Sequence, residues 1–197
     1  MTAIDPRDLS PNDGYRLLTD LVVPRPIAWV SSQSPEGIVN LAPFSFFNVV
    51  DNDPMYLMIS IGARENGEPK DTARNILANG EFVVNLVTEE LMDAMNLTSL
   101  HYPPGDSELV AAGLTPAPSQ RIAVPRVAEA RASLECRLHS HQMLGRTTLV
   151  IGEVVLFNLA DDLIDADGRL KDFLPVARMG SPAWYCRTRD RFEKPRP

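Results

Sequence analysis

The chain has 197 residues, of which 44% are hydrophobic and 23% are charged, which is the composition of an ordinary globular domain. Its formal net charge of -7 disfavours a general nucleic-acid or anionic-membrane binder, because both of those present a basic face. No apolar run approaches the roughly 20 residues that span a bilayer, and the N-terminus lacks the pattern of a signal peptide. We therefore expect a cytoplasmic protein with no nucleic-acid or membrane partner.

The predicted elements are short. Residues 1–14, rich in proline and aspartate, are expected to form an N-terminal arm, and residues 15–197 a single domain. Tyr15–Leu18 is predicted as a helical turn. Seventeen prolines spread along the chain favour many short elements over long helices.

Most of the predicted elements are strands. Runs rich in β-branched and aromatic residues predict strands at Ile27–Ser32, from Ile38 onward, and at Met55–Ile61, Glu81–Val87, Ala128–His139, Thr147–Leu159 and Trp184–Arg189. Helices are predicted for Asp71–Ala78 and from Thr88, as N-cap, to about Leu100, and residues 101–126 as a loop. Many strands with few helices favour a mainly β fold, a closed antiparallel barrel with helices at its ends.

The stretch Asn40–Asn48 reads NLAPFSFFN, a mixture that a plain strand does not need. Pro43 lies in its middle, Ser45 and Asn48 offer hydrogen-bonding side chains, and the rings belong to Phe44, Phe46 and Phe47. Core packing explains any single ring equally well. Together, the residues fit a wall against a flat ring with polar edges.

Three short segments are candidates for binding an anion. Lys70-Asp71-Thr72 opens a predicted helix, whose free N–H groups and positive dipole attract phosphate, although simple helix capping explains the same residues. Ser31-Ser32 ends a strand with two hydroxyls, which bind a phosphate or only satisfy the turn. Arg25 lies between two prolines in a stiff segment and is pre-organised for an anion. A phosphate and a polar-edged ring together indicate FMN.

Other motifs are absent or weak. The sequence contains no GxGxxG, no GxxxxGK[ST] and no GxSxG. His139 and His141 form an HxH pair without a third ligand nearby, so we expect no metal site. Cys136 and Cys186 are expected to be reduced, structural thiols.

The order of these motifs resembles a known family. PRPIAWVSS, NLAPFSFFN, KDTARNI and GEFVVNLV follow one another as in the FMN-binding split-barrel proteins of the flavin reductase-like family, with flavoredoxin-type proteins most similar. TTLVIGEVV and RMGSPAWY extend the resemblance over roughly residues 15–197. It implies a six-stranded antiparallel split barrel with Greek-key connections and a few short helices. It also implies a homodimer with FMN near the interface.

The resemblance also implies a site. Ser31-Ser32 and Lys70-Asp71-Thr72 would hold the phosphate, and the segment Pro43–Asn48 would line the ring and ribityl chain. Trp29 would lie near the flavin or in the core, and Arg178 would reach the site from either subunit. The segments Met179–Pro182 and His139–Arg146 depart from the family pattern, which leaves the electron donor and acceptor open.

The implied activity is that of a flavin reductase. NADH or NADPH would pass a hydride to FMN, which then reduces free flavin, a ferric complex or a partner protein. No side chain need act as a strong acid or base; His101, His139 and His141 are candidates for contacting the donor. The alternatives are a flavin-dependent oxidase or monooxygenase acting on a small organic substrate, a non-catalytic FMN-binding carrier or sensor, and a small barrel module without cofactor.

Overall fold

A computed structural model describes residues 1–103 and 105–196. Its helices are α1 (Pro11–Leu21), α2 (Asp71–Asn79), α3 (Met92–Leu97) and α4 (Glu108–Ala111). Its strands are β1 (Arg25–Pro26), β2 (Ala28–Gln33), β3 (Val39–Phe44), β4 (Phe47–Asn52), β5 (Met55–Gly62), β6 (Glu81–Asn85), β7 (Pro116–Ala117), β8 (Arg126–Val127), β9 (Ala132–Leu144), β10 (Thr147–Leu159), β11 (Val176–Arg178) and β12 (Tyr185–Arg187). Within the described residues, none of the helices has the length and apolar character needed to cross a membrane.

Seven strands form the main sheet, in the order β3-β2-β6-β9-β10-β5-β4, and every neighbouring pair is antiparallel. The two outer strands, β3 and β4, are separated in the chain only by Ser45 and Phe46. The sheet must therefore curl until its two edges meet at that link. This is the expected split barrel.

The strand count differs from the expected six, and the reason lies in Val39–Asn52. The first half of this segment pairs with β2 and the second half with β5. Ser45 and Phe46 interrupt it, so two strands stand where the sequence predicts one strand from Ile38 onward. Counted as one, the segment restores a six-stranded barrel.

The core has two parts, one on each side of β2. Val30 packs inside the barrel with Ile59, Phe82 and Val150. Trp29, its neighbour, packs on the outer face with residues of the helices, such as Met95. Five successive residues of β2, Ala28–Ser32, are fully buried because helices and loops cover the outer face as well.

Several element boundaries differ from those predicted. α1 begins at Pro11, because Ser10 caps it by accepting a hydrogen bond from the Asp13 amide at 3.2 Å. The expected boundary between arm and domain at residue 15 thus falls inside a helix. The predicted helix from Thr88 to Leu100 is wrong: a 3₁₀ turn at Glu89–Leu91 precedes the short α3, and the Thr88 side chain caps neither.

Two further predictions are corrected at the C-terminal side. The predicted loop at residues 101–126 contains α4 and the short strand β7, and Pro104 in it lies outside the described residues. The last predicted strand shrinks to Tyr185–Arg187, which pairs with β11 away from the main sheet. Pro197, the end of the predicted domain, also lies outside the described residues.

Candidate functional site

Two adjoining hollows run along β3 and share Pro43, Phe44 and Ser99; together we call them the candidate cleft. The first, of about 130 Å³, is also lined by Asn40, Ala42, Arg64, Lys70, Asp71, Thr72, Thr98, Leu100, His101, Tyr102 and Glu108. The second, of about 310 Å³, is also lined by Ile27, Ser45, Met95, Asn96, Arg178, Pro182, Ala183 and Tyr185. The candidate cleft thus joins the start of α2, the end of β3 and the strand pair β11–β12.

Lys70 brings an unpaired cation to the first hollow. Its ammonium lies 5.8 Å from the centroid of the Phe44 ring and, among the residues that the structure describes, makes no hydrogen bond or ion pair. Burial, assisted by the nearby guanidinium of Arg64, lowers the pKa of Lys70. A partly buried cation without a counter-charge is suited to receive an anion.

The first turn of α2 adds hydrogen-bond donors beside Lys70. The side chain of Lys70, the N-cap residue, accepts no hydrogen bond from the first backbone N–H groups of the helix. These amides have no acceptor within the helix itself. Together with Lys70 they form a donor set that matches a phosphate group.

Asp71 has a different role from the predicted one. Its carboxylate pairs with the guanidinium groups of Arg64 and Arg74. It therefore fixes Arg64 at the edge of the cleft instead of facing an anion. Arg64 was not predicted, because it stands in a polar loop without any motif.

Ser31 and Ser32 point to opposite faces of β2, as consecutive strand residues do. The Ser31 hydroxyl donates to the Pro125 carbonyl at 2.7 Å and accepts from the Asn85 amide at 3.3 Å. Ser32 accepts from Asn75 at 3.2 Å and lies under α2. Both are fully buried and neither lines the cleft, so the geometry gives both a structural role.

Trp29 lies in the core beneath the cleft. Its side chain is fully buried, and the indole N–H donates to the Thr98 hydroxyl at 2.9 Å. Thr98 in turn donates to the Met95 carbonyl at 2.8 Å and lines the first hollow. Of the two interpretations of Trp29, the structure favours the core, with an indirect connection to the cleft through Thr98.

The residues of NLAPFSFFN do not form one wall. Pro43 and Phe44 line the candidate cleft, whereas Phe46, Phe47 and Asn48 line a separate hollow of about 490 Å³. We call that hollow the apolar cavity; its other lining residues are Leu18, Thr19, Val22, Pro24, Arg25, Pro26, Ser45, Met58, Ser60, Leu144 and Leu149. Ser45 borders both hollows, so the chain changes sides there.

Arg25 lies next to Ser45, where the candidate cleft and the apolar cavity adjoin. Its guanidinium donates to the carbonyls of Thr19 and Val22, both at 2.6 Å, and of Met179 at 2.8 Å. Its Nε lies 3.5 Å from the Ser45 hydroxyl. A ligand anion would compete with these bonds, so we assign Arg25 to the support of the site and not to the predicted anion contact.

Arg178 lies in the second hollow of the same chain. Its guanidinium stacks over the Tyr185 ring at 4.7 Å from the centroid and donates to the Pro182 carbonyl at 2.8 Å. Several N–H groups of Arg178 remain available beyond that one bond. Arg178 thus lies at the end of the cleft opposite Lys70, and its contact with a flavin stays a prediction.

Glu108 lines the candidate cleft, although no sequence motif selects it. α4 leans on the outer edge of β3, where the Leu41 amide donates to Glu108 Oε2 at 3.1 Å. Ser107 donates to the Val39 carbonyl at 2.6 Å and covers the same edge. Burial raises the pKa of Glu108, and the hydrogen bond from Leu41 opposes that rise.

The three histidines are far from equivalent. His101 lines the first hollow. His139 lies on the exposed part of β9, with its ring 4.5 Å from the Tyr56 ring, and the exposed His141 pairs with Val150 in the β9–β10 hairpin. Of the three, only His101 is placed to touch a ligand in the candidate cleft.

Comparison with known proteins identifies the family. Residues 21–189 match the model of the flavin reductase like domain. The chain belongs to this family. Nitrilotriacetate monooxygenase component B from Bacillus cereus is 36% identical and superposes with a TM-score of 0.91, covering 98% of each chain.

Two further structures bear on the family assignment. The 2-nitrobenzoate 2-nitroreductase of Pseudomonas fluorescens is also 36% identical, with a TM-score of 0.90 over 100% of this chain and 96% of that one. An FMN-binding protein from Thermus thermophilus shares the fold at 20% identity, with a TM-score of 0.78 over 99% of this chain and 100% of that one. The flavin reductase-like split barrel expected from the motifs is thus confirmed.

Proposed function

We propose that this protein binds FMN in the candidate cleft and reduces it with NADH or NADPH. The observation that carries the proposal is the unpaired Lys70 ammonium beside the uncapped start of α2, next to the aromatic wall of Phe44. Family membership supports a flavin, since one structure of this fold is named as an FMN-binding protein. The donor set suits a phosphate and the wall suits an apolar ring face, so the residues present fit the cofactor.

Each part of the cleft has a task in this proposal. Lys70 and the first amides of α2 bind the phosphate through charge-assisted hydrogen bonds. Pro43 and Phe44 pack against the cofactor and exclude water. FMN itself supplies the hydride chemistry when bound. Arg178, at the other end, offers positive charge that favours the reduced, anionic form of a ring placed beside it.

No side chain of the cleft needs to act as a strong acid or base. His101 is the histidine that can reach a bound NADH or NADPH. The carboxyl of Glu108 already accepts a hydrogen bond from the Leu41 amide at the edge of β3. The protein's contribution is then positioning and electrostatics. We expect activity to depend on cofactor and donor binding more than on any one titrating group.

We further propose that the protein is a homodimer with FMN near the interface. Three apolar side chains that line the apolar cavity, those of Leu18, Val22 and Leu144, have exposed fractions between 51% and 55%, and Leu21 in α1 and Val49 in β4 are also exposed. Apolar patches of this kind mark association surfaces. Ser45 connects this surface to the candidate cleft, so a second copy would border the cofactor.

Two candidate functions differ in the molecule that accepts the electrons of the reduced flavin. A role in which reduced flavin passes to a partner protein is supported by the likeness to a monooxygenase component. Direct reduction of a small organic substrate is supported by the equally strong likeness to a nitroreductase. A carrier or sensor without turnover predicts FMN binding without reduction.

An anaerobic visible spectrum of the protein with FMN tests the proposal. We expect a perturbed flavin spectrum that bleaches on addition of NADH or NADPH. Subsequent addition of a nitroaromatic compound tests the second acceptor class, because direct reduction of that compound restores the absorbance of the bound flavin. A bound flavin that neither nucleotide bleaches would contradict the reductase activity, and the absence of any bound flavin would contradict the cofactor as well.

A further inference from the structure

Glu108, Asn40 and Thr72 form a chain of polar side chains along the wall of the first hollow. The Leu41 amide holds Glu108 through its Oε2, at 3.1 Å. The Asn40 carboxamide lies between the other carboxyl oxygen and the Thr72 hydroxyl, and both Asn40 and Thr72 are buried. Of these three side chains, that of Thr72 lies closest to the proposed phosphate site, because Thr72 is in the first turn of α2.

The hydrogen bonds of the Asn40 carboxamide depend on which way it is turned, and with an ionised Glu108 only the turned-over orientation places its donors and acceptors opposite suitable partners. With its nitrogen toward Thr72, it donates to Thr72 Oγ1 at 2.9 Å and lies 3.4 Å from Ser32 Oγ. Turned over, its oxygen accepts from the Thr72 hydroxyl at 2.9 Å and from the Leu41 amide at 3.2 Å, while its nitrogen donates to Glu108 Oε1 at 3.2 Å. The two orientations differ in where each hydrogen lies.

The ionisation of Glu108 decides between the orientations. An ionised carboxylate only accepts hydrogen bonds, so it requires the Asn40 nitrogen. The Asn40 oxygen then takes the single hydrogen of the Thr72 hydroxyl, which can no longer donate to a ligand. A protonated Glu108 donates to the Asn40 oxygen instead, Asn40 donates to Thr72, and the Thr72 hydrogen becomes free.

We propose that Glu108 takes up a proton from solvent when the flavin phosphate binds, and that Asn40 turns over so that the Thr72 hydroxyl donates to the phosphate. This inference rests on the proposed FMN site. No covalent bond changes; one proton moves from solvent to Glu108 Oε1. Glu108 is thus a positioning residue, which acts on the phosphate through Asn40 and Thr72.

The charges around Glu108 support this coupling. The titratable and charged groups that line the two hollows bordering Glu108 are those of Glu36, Arg64, Lys70, Asp71, Arg74, His101, Tyr102 and Asp106. Burial raises the pKa of Glu108, whereas Arg64 lowers it. A phosphate bound at Lys70 would bring negative charge that offsets the positive charge of Arg64. It would therefore raise the pKa of Glu108 further and favour its protonated form.

Calorimetric titration with FMN at pH 8 tests the inference, in two phosphate-free buffers of different ionisation enthalpy. The difference in apparent heat between the buffers measures the protons taken up. We expect the natural protein to take up more protons per FMN than the Glu108→Gln variant, with one proton as the upper limit of the difference. Glutamine keeps the bond from Leu41 and donates permanently to Asn40, so the variant mimics the protonated acid.

The pH dependence of FMN affinity gives a second readout. At pH values between the pKa of Glu108 in the free protein and its higher pKa in the complex, the Kd of the natural protein rises relative to that of Glu108→Gln by up to about tenfold per pH unit. The ionisation of the flavin phosphate itself affects both proteins alike and cancels in the comparison. Glu36→Gln is the matched control: it removes a negative charge from the adjoining hollow, makes no hydrogen bond to Asn40, and keeps the natural proton uptake.

Riboflavin, which lacks the phosphate, provides a test that needs no variant. Its binding to the natural protein is expected to take up no proton at pH 8. FMN binding with equal proton uptake in the natural protein and Glu108→Gln, or equal uptake with FMN and riboflavin, would overturn this inference and leave the proposed function intact. Failure of the natural protein to bind FMN at all would overturn both.

Discussion

The candidate cleft and the apolar cavity differ in character, although the single segment Asn40–Asn48 lines both. Before Ser45, the segment faces Lys70, Thr72 and the polar start of α2. After Ser45, it faces the apolar side chains of α1 and the β9–β10 hairpin. In the proposed function, the half of the segment before Ser45 serves the ligand and the half after it serves a subunit contact.

The largest effect is expected from a charge introduced into the apolar cavity and not into the candidate cleft. Leu144→Asp places a carboxylate in the apolar cavity, where an interface would bury it without a partner at a cost of several kcal/mol. We expect the variant to be monomeric in light scattering at concentrations where the natural protein is dimeric. Leu170→Asp, at a leucine of similar exposure outside the cavity, is the control and should remain dimeric. A dimeric Leu144→Asp protein would remove the apolar cavity from the interface.

The next effect concerns the phosphate end of the cleft. Lys70→Ala removes a charge-assisted hydrogen bond, and we expect the Kd for FMN to rise by about tenfold or more, which corresponds to about 1.4 kcal/mol or more. Riboflavin affinity should change little, because that ligand has no phosphate. Lys194→Ala, at an exposed lysine near the C-terminus, serves as the control. Unchanged FMN affinity in a folded Lys70→Ala protein would exclude Lys70 from the site.

The smallest effect on FMN is expected at Ser31. Ser31→Ala leaves the Pro125 carbonyl and one amide hydrogen of Asn85 without their partner, so the free energy of unfolding should fall by about 1–3 kcal/mol. FMN affinity should change less than about twofold, since the serine faces away from the cleft. Urea denaturation and fluorescence titration measure the two quantities. A large loss of FMN affinity at unchanged stability would restore Ser31 as a phosphate ligand.

The sequence predicts the fold well because the fold rests on local signals. The turn at Ser34–Gly37 joins β2 and β3 as expected, with Gly37 in the left-handed region at a φ of 89°. Asp71 begins α2 and Gly80 ends it, also in the left-handed region. Periodicity and turn residues act within a few positions, so they are readable without the tertiary structure.

The site was predicted only in part, because its remaining features are non-local. The Lys70-Asp71-Thr72 segment and Phe44, which the motifs single out, line one hollow of the candidate cleft. The different directions of Ser31 and Ser32 depend on which face of β2 meets the barrel interior, which the short motif does not specify. Arg64 reaches the cleft from a loop through its pairing with Asp71, and Glu108 reaches it from the first residue of α4 through the edge of β3, far away in sequence.

The central claim is that FMN binds beside the start of α2, and hydrogen exchange with and without FMN tests it most directly. The first amides of α2 have no acceptor within the helix, so they exchange readily unless a ligand accepts from them. At a concentration where the oligomeric state is the same in both samples, we predict FMN-dependent protection at residues 71–73 and along β3. Protection confined to Phe46–Asn48 and α1, with none at the first turn of α2, would contradict the account.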